Sequence, residues 1–346
     1  MKIVVLAGGR SPERNVSLSS GAKITNALRE KGHAAVLIDL FLGDTLSDVH
    51  TVAEVFQRPA PAADYAISEE IITNDAIDAL RTDATKGLFG PNVLEICTAA
   101  DIVFLGLHGE AGENGKVQAT FDLFGICYTG SDFISSGVTM NKRLAKQLLL
   151  QNKITTARYA TVKVGQATPK LDFNFPIVVK PAQGGSSIGM EIVYDQETLV
   201  AALTTAWQFD NEVVLEEYIA GREFSVGVLN GQALPAIEIT VADGWYDYEH
   251  KYQDNGATYQ TPPQIPAAVH QQMQAMALQT MAALGLTNYG RIDFLWDGTT
   301  IYVIEGNSLP GMTPHSLLPQ EAAAVGISYA DLCEQIIAGK LAQGKV

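Results

Sequence analysis

The stretch that most narrows the fold is Val178–Val193, VVKPAQGGSSIGMEIV. An apolar run of strand type ends in Lys180. A loop of small residues with two serines follows, and then the strand pattern returns. The two familiar phosphate loops sit between a strand and a helix, and neither is present. The dinucleotide fingerprint needs spaced glycines, which LAGGRSPE near the N-terminus lacks. The P-loop needs four residues between its first glycine and Gly-Lys-Ser/Thr, whereas GEAGENGKV has five and then Val117. A loop joining two strands can fold down over phosphates as a lid. Its glycines admit close backbone approach, its N–H groups make an anion-binding concavity, and Lys180 adds a point charge. The plain alternative is a surface hairpin with an ordinary lysine.

Any anion must be met locally, because the chain has a formal net charge of −15 at pH 7. Nucleic acid and anionic membrane surfaces want a basic partner, so neither is expected. The 346 residues are enough for two or three domains. Cys97, Cys127 and Cys333 are scattered without metal-ligand spacing and read as reduced thiols. The apolar run in MKIVVLAGGR is too short for a signal-peptide core, and no run approaches a membrane span. The expected location is cytoplasmic.

KIVVLAGG reads as a buried parallel strand, SSGAKITNALREKG as a helix stopped at Gly32, and HAAVLIDL as a second strand, which is a βαβ opening. Phe41–Ala100 reads as an insertion. ADIVFLGLHG resumes the sheet, KVQATFDLFGICYTG supplies a helix and a further strand, and a boundary falls near Ser131. Beyond it, strand pairs alternate with helices. One helix follows Asp195 as N-cap, one fills Ala267–Leu284, and one lies near Tyr329–Leu341. The front third is thus doubly wound α/β and the rest α+β.

The hairpin GRIDFLWDGTTIYVIEGN carries a second constellation. A turn near Thr299 sets Asp293 across from Glu305. Alternation then gathers Arg291, Asp293, Glu305 and Asn307 on one face, with Ile292, Phe294, Trp296 and Ile304 on the other. Hard oxygen donors of this kind suit Mg²⁺ shared with substrate phosphates. The alternative is a salt bridge between Arg291 and one acid. Two carboxylates directly opposed are unfavourable without a cation between them, which favours the metal. Loop and hairpin together imply an ATP site with Mg²⁺. The His-Arg-Asp and Asp-Phe-Gly elements of protein kinases are missing.

GGRSPERNVSLSSG, LHGEAGENG, KPAQGGSSIGM, GRIDF and EGNSLPGMTPHSLLP occur in this order. Together they resemble the D-alanine–D-alanine ligase family of the ATP-grasp fold, from Met1 to about Leu341. The resemblance implies a Rossmann-like, pre-ATP-grasp α/β domain over 1–130. A central ATP-grasp subdomain with the glycine-rich lid would follow over 131–216. A C-terminal subdomain with the metal site and a substrate lid loop would fill 217–346. It implies that ATP phosphorylates one D-alanine and that the amine of a second displaces phosphate, giving D-alanyl-D-alanine for peptidoglycan precursors. D-lactate or D-serine as second substrate is the alternative, and a non-catalytic ATP-binding scaffold is the more distant one. The implied partners are small molecules, ATP and D-alanine, with a homodimer left open.

Residue by residue, the resemblance gives Lys142 and Lys180 to the ATP phosphates, Glu216, Glu217, Tyr218 and Ile219 to adenine, and Glu223 to the ribose. Relatives often carry lysine where Glu217 stands. Asp293, Glu305 and Asn307 would hold two Mg²⁺, for which Mn²⁺ could substitute. Arg291 and the Gly311 N–H would form the oxyanion site. Glu13 would take the first ammonium, with His108 beside it; Ser186 and Tyr252 would join Glu13 in a hydrogen-bonded set. Lys251 and Ser316 would hold the second carboxylate, and Leu317 would wall a methyl group. On residue chemistry alone Glu13 equally suits a helix start, with Ser11 as N-cap and Pro12 in the first turn. On the same ground His108, closing a buried strand before a glycine, reads first as a satisfied structural histidine, and the plain alternatives for Gly311 and Tyr252 are a turn glycine and an aromatic packing residue.

Overall fold

The structure, a computed structural model, describes residues 1–59, 72–81, 87–241 and 256–344. Its first sheet is parallel. β1 (Lys2–Ala7) lies between β2 (Ala34–Asp39) and β3 (Ile102–Leu105). Ile3 to Ala7 are fully buried, which is why the strand reads as a continuous apolar run. The crossover helix α1 (Arg14–Glu30) begins before the serine-rich stretch that suggested it. Ser11 is not its N-cap: Glu13 holds that position and makes no capping bond with its side chain, while the Arg14 N–H donates to the Ser11 carbonyl at 3.0 Å.

In the 41–100 stretch, α2 (Asn74–Ala79) is short and α3 (Val93–Thr98) buries Val93, Ile96 and Cys97. The last two residue types lie in one core with Val55 and Phe56 from a 3₁₀ turn. After α4 (Glu110–Glu113) and α5 (Lys116–Phe124), the further strand expected from GICYTG does not form. It is an isolated parallel bridge between Val103 and Tyr128, held by Val103 N–H to Cys127 O at 2.8 Å and Thr129 N–H to Val103 O at 2.9 Å. Gly130, at φ +91°, turns the chain away before a ladder can grow.

α6 (Phe133–Met140) and α7 (Lys142–Gln151) follow, separated at Asn141, whose side chain accepts the Leu144 N–H. β4 (Tyr159–Lys163), β5 (Ile177–Pro181), β6 (Glu191–Val193) and β7 (Glu212–Glu217) make an antiparallel sheet in the order β4-β7-β5-β6. α8 (Gln196–Ala206) covers it, capped by Asp195 as the sequence predicts. The glycine loop is the β5–β6 connection.

The third sheet contains β8 (Arg222–Leu229), β9 (Gln232–Ala233), β10 (Ile237–Val241), β11 (Ala257–Gln260), β12 (Tyr289–Trp296) and β13 (Ile301–Asn307). Its order is β11-β10-β8-β12-β13, with β9 on β8. α9 (Ala267–Leu284) and α7 cover one face, where Leu149, Met273 and Ala277 pack on Phe224, Ile292 and Phe294. α10 (Leu317–Ala324) and α11 (Tyr329–Ala342) close the chain, and Leu332, Cys333, Ile336 and Ile337 of α11 join the core of the first sheet. Between β7 and β8 the chain passes from one antiparallel sheet to the other in four residues, 218–221, which opens a cleft between them.

The β12–β13 register pairs Asp293 with Glu305 and Arg291 with Asn307, as read from the sequence. It then slips, and Phe294 faces Val303. Ile304 is the extra residue of a bulge. The side chain packed with Phe294 in the core is therefore Val303, not Ile304, which instead lines the cleft beside Glu305.

Candidate active site

Two adjoining cavities fill the cleft. The larger, about 430 Å³, lies between the antiparallel sheets and is lined by Lys142, Lys180, Glu216, Glu217, Tyr218, Ile219, Glu223 and Asp293. The other, about 360 Å³, runs toward the first sheet and is lined by Glu13, His108, Arg291, Asn307, Gly311, Ser316 and Leu317. Ser186 and Glu305 border both. Candidate residues from Glu13 to Leu317 thus meet in one place. Lys251 and Tyr252 lie outside the described residues.

In the larger cavity Lys180 and Glu216 are nearly fully buried and 2.7 Å apart. Burial alone would raise the Glu216 carboxyl, but Lys146 and Lys180 outweigh it and hold the group below its ordinary range. Lys142 ties α7 to the glycine loop: its N–H donates to Ala182 O at 2.8 Å and its ammonium to Gly184 O at 2.6 Å. Glu217 turns to Arg158 in a two-pronged ion pair at 2.9 and 2.6 Å. Its side chain is thereby engaged at the rim.

The glycine loop meets the start of α1, where Ser186 Oγ donates to Glu13 Oε1. Ser186 and Ser187 both lie in the left-handed region, at φ +50° and +61°. Such a conformation persists in L-residues where the surroundings fix it, and it is common at functional loops. His108 is 6% exposed and its Nε2 lies 3.2 Å from Ser20 Oγ. Burial lowers its pKa more than Glu13 raises it, so the ring is neutral at pH 7. Gly109 admits this approach: a Cβ there would stand 2.4 Å from Ser11 Oγ and 2.9 Å from Glu13 Oε2. At Gly311 a Cβ would stand 2.8 Å from Ser316 Oγ, so packing adds to any turn requirement.

At the junction of the cavities Asp293 accepts two bonds from Arg291, both 2.8 Å, one from Ser225 Oγ at 2.9 Å and one from Asn307 Nδ2 at 2.9 Å. The salt bridge that stands as the alternative to a metal is therefore present, between Arg291 and Asp293. This does not remove the fit for a hard divalent ion. Two carboxylates and an amide converge on a cavity wall, and turning the Asn307 amide end for end presents oxygen in place of nitrogen.

Three titratable groups escape the sequence reading. Glu113 borders the smaller cavity and accepts the Gly109 N–H at 2.8 Å. Burial, with Glu13 and Glu305 adding to it, pushes its carboxyl up to about 8. Its only sequence signal is membership of HGEAGENG. Lys146 lies behind the larger cavity on α7, and Glu321 lies behind Arg291 on α10. Glu321 Oε2 accepts the N–H of Gly227, the residue paired with Arg291 across β8 and β12. Its other oxygen has no hydrogen-bond partner among the described residues.

Burial raises the Glu321 carboxyl well above its ordinary 4.5, against a smaller pull from Arg291. The folded protein therefore keeps a proton there that the unfolded chain releases above about pH 4.5, so stability falls as pH rises through that range. Glu321→Gln keeps the acceptor for Gly227 and removes the ionisation. Its unfolding free energy is expected to exceed that of the wild type by a margin that grows from pH 5 to 8, as read by denaturant melts at each pH. A constant margin would refute the assignment.

Residues 2–131 match the family described as D-ala D-ala ligase N-terminus, and residues 148–338 match D-ala D-ala ligase C-terminus. The D-alanine–D-alanine ligase of Pediococcus pentosaceus is 58% identical over 98% of this chain and 97% of its own length. That of Lacticaseibacillus casei is 54% identical over 99% and 96%. Among solved structures, D-alanine–D-alanine ligase from Bacillus anthracis complexed with ATP superposes with a TM-score of 0.75 at 29% identity, covering 99% of this chain and 98% of that one. Two family matches that together span most of the chain, and near-full-length relatives above half identity, agree with a glycine hairpin and carboxylate strand meeting in one cleft: the chain belongs to the D-alanine–D-alanine ligase family, with the ATP-grasp fold.

Proposed function

We propose that this protein joins two D-alanines in an ATP-dependent reaction that passes through an acyl phosphate. One observation carries the reading: the glycine loop, joined to Glu13 through Ser186, borders both cavities together with Glu305, while Arg291 lines the smaller and Asp293 the larger. A nucleotide in the larger cavity would present its terminal phosphate there, to a carboxylate held in the smaller one.

The first D-alanine binds with its ammonium at Glu13 and its methyl end near neutral His108. Its carboxylate oxygen attacks the γ-phosphorus, and ADP leaves, held by Lys142 and Lys180. The Glu216–Ile219 segment takes the adenine and Glu223 the ribose. A divalent ion such as Mg²⁺, held by Asp293, Glu305 and Asn307, would neutralise charge on the transferred phosphoryl group. The amine of the second D-alanine then attacks the acyl carbon. The ammonium first gives a proton to solvent, and attack makes the C–N bond and a tetrahedral oxyanion steadied by Arg291 and the Gly311 N–H; on its collapse the acyl C–O bond breaks and phosphate departs with the proton that nitrogen loses. The second carboxylate goes to Ser316 and Lys251. Burial matters because water would hydrolyse the acyl phosphate.

The same reading divides the chain near 130 and 216 and places it in the cytoplasm, where ATP and peptidoglycan precursors meet. None of the described helices is long and apolar enough to cross a membrane. Leu317 and Tyr252 favour D-alanine as acceptor: the first walls a methyl group, and the hydroxyl of the second disfavours D-lactate. The test is phosphate release from ATP with Mg²⁺ and D-alanine, D-serine or D-lactate. Release with D-alanine alone is expected, and no release with any acceptor would defeat the proposal. Tyr252→Phe is expected to raise the D-lactate share of product several-fold in a D-alanine/D-lactate competition. An unchanged share would reject the role of the hydroxyl.

A further inference from the structure

Lys146 lines neither cavity, yet it is a second cation on the carboxylate that holds Lys180. It lies one helical turn beyond Lys142 on α7 and is 2% exposed. Its Nζ stands 3.2 Å from Glu216 Oε1, while Lys180 Nζ stands 2.7 Å from Oε2. It also donates to Thr156 Oγ1 at 2.7 Å and Ala157 O at 3.2 Å. Toward Glu216 it acts chiefly through its charge, at 3.2 Å from Oε1.

A lone Lys180–Glu216 pair would be neutral, and the buried carboxylate would grip the ammonium with its full charge. Two ammoniums sharing one carboxylate leave a net charge of +1 beside the cavity and divide that grip. We infer that Lys146 is a positioning residue for the nucleotide: by sharing Glu216, it leaves Lys180 able to hold a phosphate. This rests on the nucleotide reading of the larger cavity.

A purely structural Lys146 would pin α7 to the segment entering β4 through Thr156 and Ala157. The two roles separate in a double-mutant cycle with Glu216. Lys146→Gln removes the charge and keeps a donor for Thr156 and Ala157. Glu216→Gln removes the carboxylate that needs sharing. The probe is ADP with Mg²⁺, its Kd measured by calorimetry on the wild type, both single variants and the double variant.

Lys146→Gln is expected to weaken ADP binding by about tenfold or more in the wild-type background. In the Glu216→Gln background it should change Kd by less than about threefold, because Lys180 is no longer gripped. In turnover, the single variant should raise KM for ATP and leave KM for D-alanine unchanged. Equal losses of ADP affinity in both backgrounds, or wild-type affinity in Lys146→Gln, would overturn the inference. If thermal melts show Lys146→Gln unfolded, the double variant, which carries no uncompensated buried anion, decides. It must bind ADP within about threefold of Glu216→Gln, and a deficit beyond tenfold overturns the inference. A wild type that binds no ADP would instead defeat the nucleotide reading itself.

Discussion

Arg291→Ala is expected to lower kcat by about 10²–10³ while changing KM for ATP little, because the proposed role sets Arg291 at the developing oxyanion and not at the nucleotide. A second consequence follows from the pairing around it. Asp293 is 7% exposed and takes two of its hydrogen bonds from Arg291. Removing that partner strands a buried carboxylate, which costs about 3–5 kcal/mol in comparable cases. The variant should therefore melt well below the wild type in metal-free buffer. Arg291→Lys restores a charge but not the two-pronged geometry, so it should recover stability more than rate. Phosphate release and thermal melts on the same samples check both. A variant that loses stability but keeps kcat would leave Arg291 with a packing role only.

Much of this site was legible because strand pairing is a local code. In β12 and β13 an alternating pattern and a turn near Thr299 sufficed to place Asp293 against Glu305. The bulge that exchanges Ile304 for Val303 was not legible, because an extra residue leaves no mark in a pattern of apolar side chains. The start of α1 was misread for a related reason: serines resemble caps in sequence, but here Ser17, Ser19 and Ser20 are buried in the helix face, and Ser20 reaches His108. The strand after α5 was lost to a single glycine turn at Gly130.

Glu13 and Ser186 are 173 residues apart, and no periodicity links them. Only the family resemblance paired them, since capping explained Glu13 equally well from its neighbours alone. Lys146 and Glu321 stayed hidden because nothing in their local sequence marks them as buried. Their burial is decided by which face of α7 and α10 meets the sheet, a tertiary fact.

Glu305→Gln is expected to reduce turnover by about 10²–10³, in line with the several kcal/mol that a divalent ion contributes to phosphoryl transfer. The residue borders both cavities and is paired with Asp293 across β12 and β13. Two explanations predict that loss. If Glu305 is a metal ligand, weaker binding moves the Mg²⁺ concentration for half-maximal rate upward by about tenfold or more, and part of the rate returns at high Mg²⁺. If it only balances the charge of Arg291, the rate falls at every Mg²⁺ concentration alike. Glutamine keeps the volume and one oxygen, so a change in the Mg²⁺ response reports charge and ligation rather than packing. The metal reading expects the shifted curve; an unshifted one would leave the Arg291–Asp293 ion pair as the whole of the hairpin's chemistry. Asn307→Leu sharpens the distinction, because it removes an amide oxygen without altering net charge. A parallel shift of its Mg²⁺ curve is expected only where the two opposed strands bind the ion together.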